Sequence, residues 1–261
     1  MRVVLRTASA AIVLAVLIAL ATGCAGRQDA ARMQVQASGA RTSIDDKLAD
    51  DPAVDGLIAP YRETVVEKMS EPLAFSPVPM ETDRPEGLLG ALASDIVLAR
   101  ARAETGLPVE ACVMNNGGLR RGLPPGTITL GLVYEVMPFD NEIVVLRLAG
   151  EQMAALAKQL AEAGGEPQSG FAFAIVGNAA TDVRVGASPL ESRDYWVATS
   201  DYLAGGGGGL AVLWEAQETL RTGVLVRDAL ADAFRGYGSQ GDGDGVGAIP
   251  VPELGRVRRG R

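Results

Sequence analysis

The stretch Asn115-Asn116-Gly117-Gly118-Leu119-Arg120 brings together groups suited to hold an anion. Glycines let a backbone approach a ligand closely, amides donate and accept, and an arginine fork presents paired N–H donors to phosphate oxygens. Taken alone, the six residues fit a tight turn with a surface arginine at least as well. What surrounds them has to decide between the two.

Composition narrows the chemistry. The chain has 261 residues with 24 basic and 32 acidic side chains, a net charge of −8, and no histidine. Metal-assisted phosphate hydrolysis and most nucleophilic triads draw on imidazole, so both are poor readings here. Carboxylates such as Asp140, Glu142 and Asp201 could still bind an oxygen-seeking cation. The acidic balance argues against binding a nucleic-acid polymer, so any anion site must be a local arrangement of arginine and backbone N–H groups. Asp242, Asp244, Gly247 and Glu253 fall at calcium-loop spacing, but Val246 occupies a ligand position and Pro250 and Pro252 stiffen the second half, which suits an acidic linker better. No metal, cofactor or catalytic residue is expected.

The start of the chain reads as an export signal over residues 1–23: Arg2 and Arg6, an uncharged apolar run, then small residues leading into Cys24. "LATGC" resembles the lipobox of bacterial lipoproteins, which makes Cys24 the expected lipidation site and the membrane a partner through that anchor. Ala25 then favours the outer membrane or periplasm if the cell is Gram-negative. Residues 24–43 have almost no large apolar side chains and are expected to form a flexible tether.

The elements that must position the glycine loop follow. A lead-in helix is expected over residues 44–70, with Leu57, Tyr61, Thr64 or Val65, and Met69 forming a packed face. A second helix, over 85–104, starts at Pro85, carries Leu89, Leu92, Ile96, Ala99 and Ala103 as its stripe, and stops before Gly106. Residues 109–114 form a short buried strand that delivers the 115–120 loop to a sheet edge, with Cys112 as a small core residue. Thr129 is suited to cap a short helix. A strand over 142–148, a helix over 151–163 ended by Gly164 and Gly165, strands over 169–176 and 195–200, and a last helix over 224–238 complete the series. Helices and strands mix without strict alternation, which predicts an α+β fold: a mixed β-sheet core with packed helices.

Four segments in order, "NNGGLRRGLPPGTIT", "VYEVMPFDNEIVVLRLAG", "PQSG" before an aromatic strand, and "YWVATSDYLAGGGGG", resemble the C-terminal domain of the 5'-nucleotidase family. That resemblance places the domain over residues 71–258. In two-domain members a histidine-rich N-terminal metallophosphoesterase domain cuts, and the C-terminal domain binds the nucleoside part. The resemblance therefore implies a substrate-binding domain, expected to stand alone and to serve a separately encoded metallophosphoesterase in nucleotide catabolism.

Residue by residue, it implies that Asn115, Gly117, Gly118 and Arg120 meet the polar part of a nucleoside or nucleotide, while Phe139 and Tyr202 grip the base. Gly208 stands where the family usually has an acid for the ribose hydroxyls, so the resemblance does not extend to ribose recognition. A family arginine three residues before a glutamate would fall on Asp83, with Arg84 one step away and available to compensate. Two other functions stay open: a self-sufficient hydrolase using carboxylate-held metal, and an envelope interaction module that binds no nucleoside.

Overall fold

The computed structural model describes residues 49–241 and 246–260. The expected signal, Cys24, the tether and part of the 242–253 acidic segment lie outside the described residues. Pro52–Arg261 is one compact unit.

A mixed five-stranded sheet organises this unit, in the order β10 (Glu218–Leu225), β4 (Glu142–Ala149), β9 (Asp194–Ser200), β2 (Ala111–Val113), β5 (Gln168–Ser169). β4 runs antiparallel to β9 over seven residue pairs, Ile143↔Ser200 to Ala149↔Asp194, whereas β2 runs parallel to β9. Alternation along β4 makes the sheet two-faced. Ile143 and Val145 enter one buried cluster, while Val144, Leu146 and Leu148 enter the other. Burying each such side chain stabilises the fold by about 1.5–3 kcal/mol.

The first face is covered by α2 (Leu88–Thr105), α3 (Leu130–Val136) and α6 (Val226–Gly238). The second is covered by α4 (Gly150–Glu162) and by a four-stranded sheet in the order β11 (Val257–Arg259), β6 (Phe171–Val176), β7 (Ala179–Val185), β8 (Ser188–Pro189). β1 (Pro72–Ser76) pairs antiparallel with β3 (Gly126–Thr129) in a small separate sheet. Layers of helix and mixed sheet make the fold α+β. Cys112 is fully buried in the first cluster, and that burial, with Asp95 nearby, pushes its thiol pKa well above the ordinary range.

Several elements depart from the sequence reading. α1 spans Pro52–Met69, and Leu57, Tyr61 and Val65 are exposed on it, so only Met69 at its end packs against the core. The periodicity marks an apolar face but does not supply a surface to cover it. α2 begins at Leu88 rather than Pro85. Residues before it form a clasp in which the Glu86 carboxylate accepts the N–H groups of Gly255 at 2.7 Å and Arg256 at 3.0 Å. Ala99 and Ala103 are exposed, while Gly90, Ala93, Val97 and Leu98 are buried: α2 is wrapped on most sides, and a one-stripe reading is too narrow.

Other local signals act as their chemistry dictates. Thr129 Oγ1 accepts the Leu132 N–H at 3.3 Å and caps α3. Gly106 adopts φ 65° and receives the end of α2, its N–H donating to the Arg102 carbonyl. Strand β10 takes Val224 and Leu225 from the expected last helix. Its Thr-Leu-Arg-Thr-Gly sequence lacks an apolar run because it lies at the sheet edge. Among the described residues, no helix is long and apolar enough to cross a membrane.

Candidate functional site

β2 delivers the glycine loop. Just past its end, the Met114 N–H donates to the Pro167 carbonyl at 2.8 Å, and Asn116–Gly118 then close a single 3₁₀ turn. The Asn115 side-chain amide folds across this turn. A Cβ on Gly117 would lie 3.2 Å from Asn115 Nδ2, and one on Gly118 would lie 3.1 Å from its Oδ1, so glycines give the amide its room. Leu119 is buried, and the Arg120 N–H donates to the Val136 carbonyl at 2.8 Å, which pins the end of the loop to the end of α3.

The two arginines that follow have different fates. Arg121 pairs with Glu135. Arg120 donates from Nη1 to the Gly117 carbonyl at 3.1 Å, lies 6.0 Å from the Phe139 ring centroid, and forms no salt bridge among the described residues. Its charge is therefore uncompensated by a carboxylate. An exposed guanidinium in that state can offer its remaining donors to an incoming anion.

Phe139 sits on the turn between α3 and β4 and is 41% exposed. The turn is braced by Arg227, whose guanidinium donates to Asp140 Oδ1 at 2.7 Å and stacks 4.3 Å over the Tyr134 ring. Burial works against the Arg227 charge, but the hydrogen bond to Asp140 and the charges of Asp140 and Asp228 outweigh it, so its pKa lies above the usual arginine value. Next along the chain, Asp201 Oδ1 accepts from Asn141 Nδ2 at 3.0 Å and from the Glu142 N–H at 3.1 Å, joining the start of β4 to the start of α5 (Asp201–Ala204).

Tyr202 stands in α5, whose first turn is capped by Ser200 Oγ accepting the Leu203 N–H at 3.2 Å. Half of the Tyr202 side chain is exposed. The chain after α5 closes over its ring: a Cβ on Gly207 would lie 2.5 Å from Cζ, and the Gly208 N–H donates to the hydroxyl at 3.3 Å. Gly208 has φ 66°, and a Cβ there would meet Leu203 Cδ2 at 2.8 Å. The position that would hold an acid by resemblance is thus a tightly folded piece of backbone.

These parts meet in one cavity of about 380 Å³. Asn115, Gly117, Gly118, Arg120, Phe139 and Tyr202 all line it, although they come from three separate segments of the chain. Met114, Met137, Asn141 and Ser200 complete the wall. Sequence reading had not singled these four out, yet each lies within a residue or two of a chosen one. The lining joins exposed aromatic rings, apolar methionines, amides and one unpaired guanidinium. Such a surface can hold a flat ring at one end and an anionic or polar group at the other.

Arg84 is placed elsewhere. Its guanidinium pairs with Glu166 and donates to the Ala163 carbonyl, and it does not line the cavity. The carboxylates of the alternative hydrolase reading are also engaged. Asp140 pairs with Arg227, Asp201 holds Asn141, and Glu142 pairs with Arg221 while accepting the Gly223 N–H at 2.7 Å. Among the described residues, no group of three or more His, Cys, Asp or Glu side chains is arranged to hold a metal ion.

Comparison with known proteins identifies the family. The trifunctional nucleotide phosphoesterase protein YfkN of Bacillus subtilis is 26% identical over 219 residues, which cover 76% of this chain and 15% of that protein. A 5'-nucleotidase of Vibrio parahaemolyticus is 24% identical, covering 79% of this chain and 38% of its own length. Among solved structures, a 5'-nucleotidase precursor from Thermus thermophilus matches with a TM-score of 0.66 at 29% identity, over 79% of this chain and 43% of that one. The chain spans less than half the length of each of these relatives. A family model described as 5'-nucleotidase, C-terminal domain, matches residues 66–215, which is more than half of the chain and includes every residue lining the cavity. The chain belongs to the 5'-nucleotidase C-terminal domain family.

Proposed function

We propose that the cavity binds a nucleoside monophosphate, with the base between Phe139 and Tyr202 and the phosphate at Arg120 and the Asn115–Gly118 loop. The observation that carries this reading is the presence of one guanidinium without a carboxylate partner and two exposed aromatic rings on the wall of a single cavity. Stacking of a base on such rings is sequence-tolerant and contributes about 1–3 kcal/mol per base. The guanidinium adds charge-assisted hydrogen bonds to the phosphate.

In this proposal the domain binds and a metallophosphoesterase cuts. Family membership supports that division, as do the lack of histidine and the commitment of Asp140, Glu142 and Asp201 to protein partners. We place the cutting activity on a separately encoded chain, and the binding chain at the cell envelope through a lipid on Cys24. The "LATGC" sequence supports the anchor, and loss of radiolabelled palmitate incorporation in Cys24→Ala is the result it predicts.

Calorimetric titration with AMP, adenosine and UMP tests the binding reading. The wild-type protein is expected to bind AMP, Phe139→Ala to bind all ligands more weakly, and Arg120→Ala to lose affinity for the monophosphates selectively. Equal heats from the three proteins would refute the site. Phosphate release from AMP by the purified chain with Mg²⁺, Mn²⁺ or Zn²⁺ would instead support the self-sufficient hydrolase.

A further inference from the structure

The segment that follows α4 does more than end a helix. It carries Glu166, only 8% exposed, beneath the glycine loop. Glu166 Oε2 accepts the Asn116 N–H at 2.7 Å, at the residue where the 3₁₀ turn begins. The other carboxylate oxygen pairs with Arg84, which also donates to the Ala163 carbonyl. The neighbouring Pro167 carbonyl accepts the Met114 N–H at 2.8 Å, so the segment holds the chain both just before the loop and within it. Contacts between residues 50 and 82 positions apart in sequence thus converge under the cavity wall.

A buried carboxylate beside a site for an anion needs a reason, because its charge opposes the ligand's. Arg84 neutralises it, and the carboxylate then serves as a strong, fixed acceptor for one loop N–H. With that N–H held from below, the loop takes the conformation in which Asn115 lies across Gly117 and Gly118 and the Gly117 carbonyl holds Arg120 Nη1 at 3.1 Å. Neither Glu166 nor Arg84 lines the cavity. Their influence on a ligand must pass through the loop.

We propose that Glu166, neutralised by Arg84, is a positioning residue that fixes the 115–120 loop for the phosphate end of the ligand. The inference rests on the nucleotide-binding reading above. It goes further by assigning a residue outside the cavity and by predicting that the two ends of the ligand respond differently to its loss. The aromatic end, built from Phe139 and Tyr202, is held by other contacts and does not depend on Glu166.

The test is calorimetry of the full chain with AMP and adenosine, on wild type, Glu166→Ala and Glu166→Gln, with thermal unfolding of each. Glu166→Ala is expected to weaken AMP binding about tenfold while changing adenosine binding by less than about twofold, since one charge-assisted hydrogen bond to the loop is removed. Glu166→Gln keeps an acceptor oxygen in the same place and is expected to recover most of the AMP affinity. A merely structural role would weaken both ligands together. Equal losses for AMP and adenosine, an AMP affinity unchanged in Glu166→Ala, or a Gln variant as weak as the Ala variant would overturn the proposal. If Glu166→Ala does not fold, Glu166→Asp, which draws the carboxylate back from the Asn116 N–H, takes its place: a loss for AMP that exceeds the loss for adenosine supports the proposal, and equal losses or no loss overturn it. Failure of the wild-type chain to bind either ligand would overturn the parent reading and the inference with it.

Discussion

One glycine-rich loop lines the cavity and a second packs against the Tyr202 ring that lines it, and the two are held in place by different means. The 115–120 loop is tied by polar contacts to two other segments of the chain: Asn116 to Glu166 and Met114, just before the loop, to the adjoining Pro167, and Arg120 to Val136. The 205–209 loop is tied locally. Gly205 and Gly206 donate to the carbonyls of Asp201 and Leu203, the Gly208 N–H reaches the Tyr202 hydroxyl, and the Trp214 ring packs against Gly206. The first loop presents charge and amides. The second supports a ring. Charge recognition needs donors fixed to fractions of an ångström and so draws on the whole fold, whereas stacking needs only a flat face held roughly in place.

Substitutions can break this division at either end. The largest effect is expected at Arg120: replacing it with alanine removes the unpaired guanidinium and should weaken AMP binding about a hundredfold, through the loss of charge-assisted bonds. Adenosine binding should barely move, and the melting temperature should stay close to wild type because the side chain is exposed. Next come the rings. Phe139→Ala or Tyr202→Ala should weaken AMP and adenosine alike by about tenfold, in calorimetry or fluorescence titration. A ring substitution that spared adenosine would erase the contrast between the loops.

Two smaller effects sharpen the comparison. A Cβ at Gly207 would lie 2.5 Å from the Tyr202 ring, while one at Gly117 would lie 3.2 Å from the end of the Asn115 amide. Gly207→Ala should therefore displace Tyr202 and weaken binding of both ligands a few-fold, at a stability cost of about 1–3 kcal/mol. Gly117→Ala should cost less in stability, and any loss of binding should fall on AMP. The smallest effect concerns Cys112, away from both loops. Its raised pKa means that the folded state holds the thiol proton more tightly than the unfolded chain does. The resulting stability is fully present below the ordinary thiol range and declines as pH rises above it. Native protein at pH 8 should leave Cys112 unreacted with a thiol probe that labels it fully after denaturation.

Much of this arrangement was legible in the sequence, because its signals are local. The Asn-Asn-Gly-Gly turn after an apolar run, Thr129 as a cap, the alternating strand 142–148 and the Gly164-Gly165 stop each depend on a few neighbouring residues. The six residues chosen from the sequence line one cavity for the same reason: the motifs that carry them sit at strand and helix ends. Illegible were features created by residues far apart. Nothing in "GEPQSG" announces that Glu166 will lie under Asn116, and Arg84, considered as a substitute phosphate ligand, is taken up by that glutamate instead. Likewise α1 shows an apolar face that the described residues leave uncovered, and α2 is buried beyond its stripe because the sheet, α6 and the 163–167 segment all surround it.

The most direct test of the account is a crystal structure of the full chain grown with AMP. The base should lie between Phe139 and Tyr202, with the phosphate oxygens about 2.7–3.0 Å from the Arg120 guanidinium. A nucleotide bound on another face of the domain, or bound here with its phosphate turned away from Arg120, would contradict it.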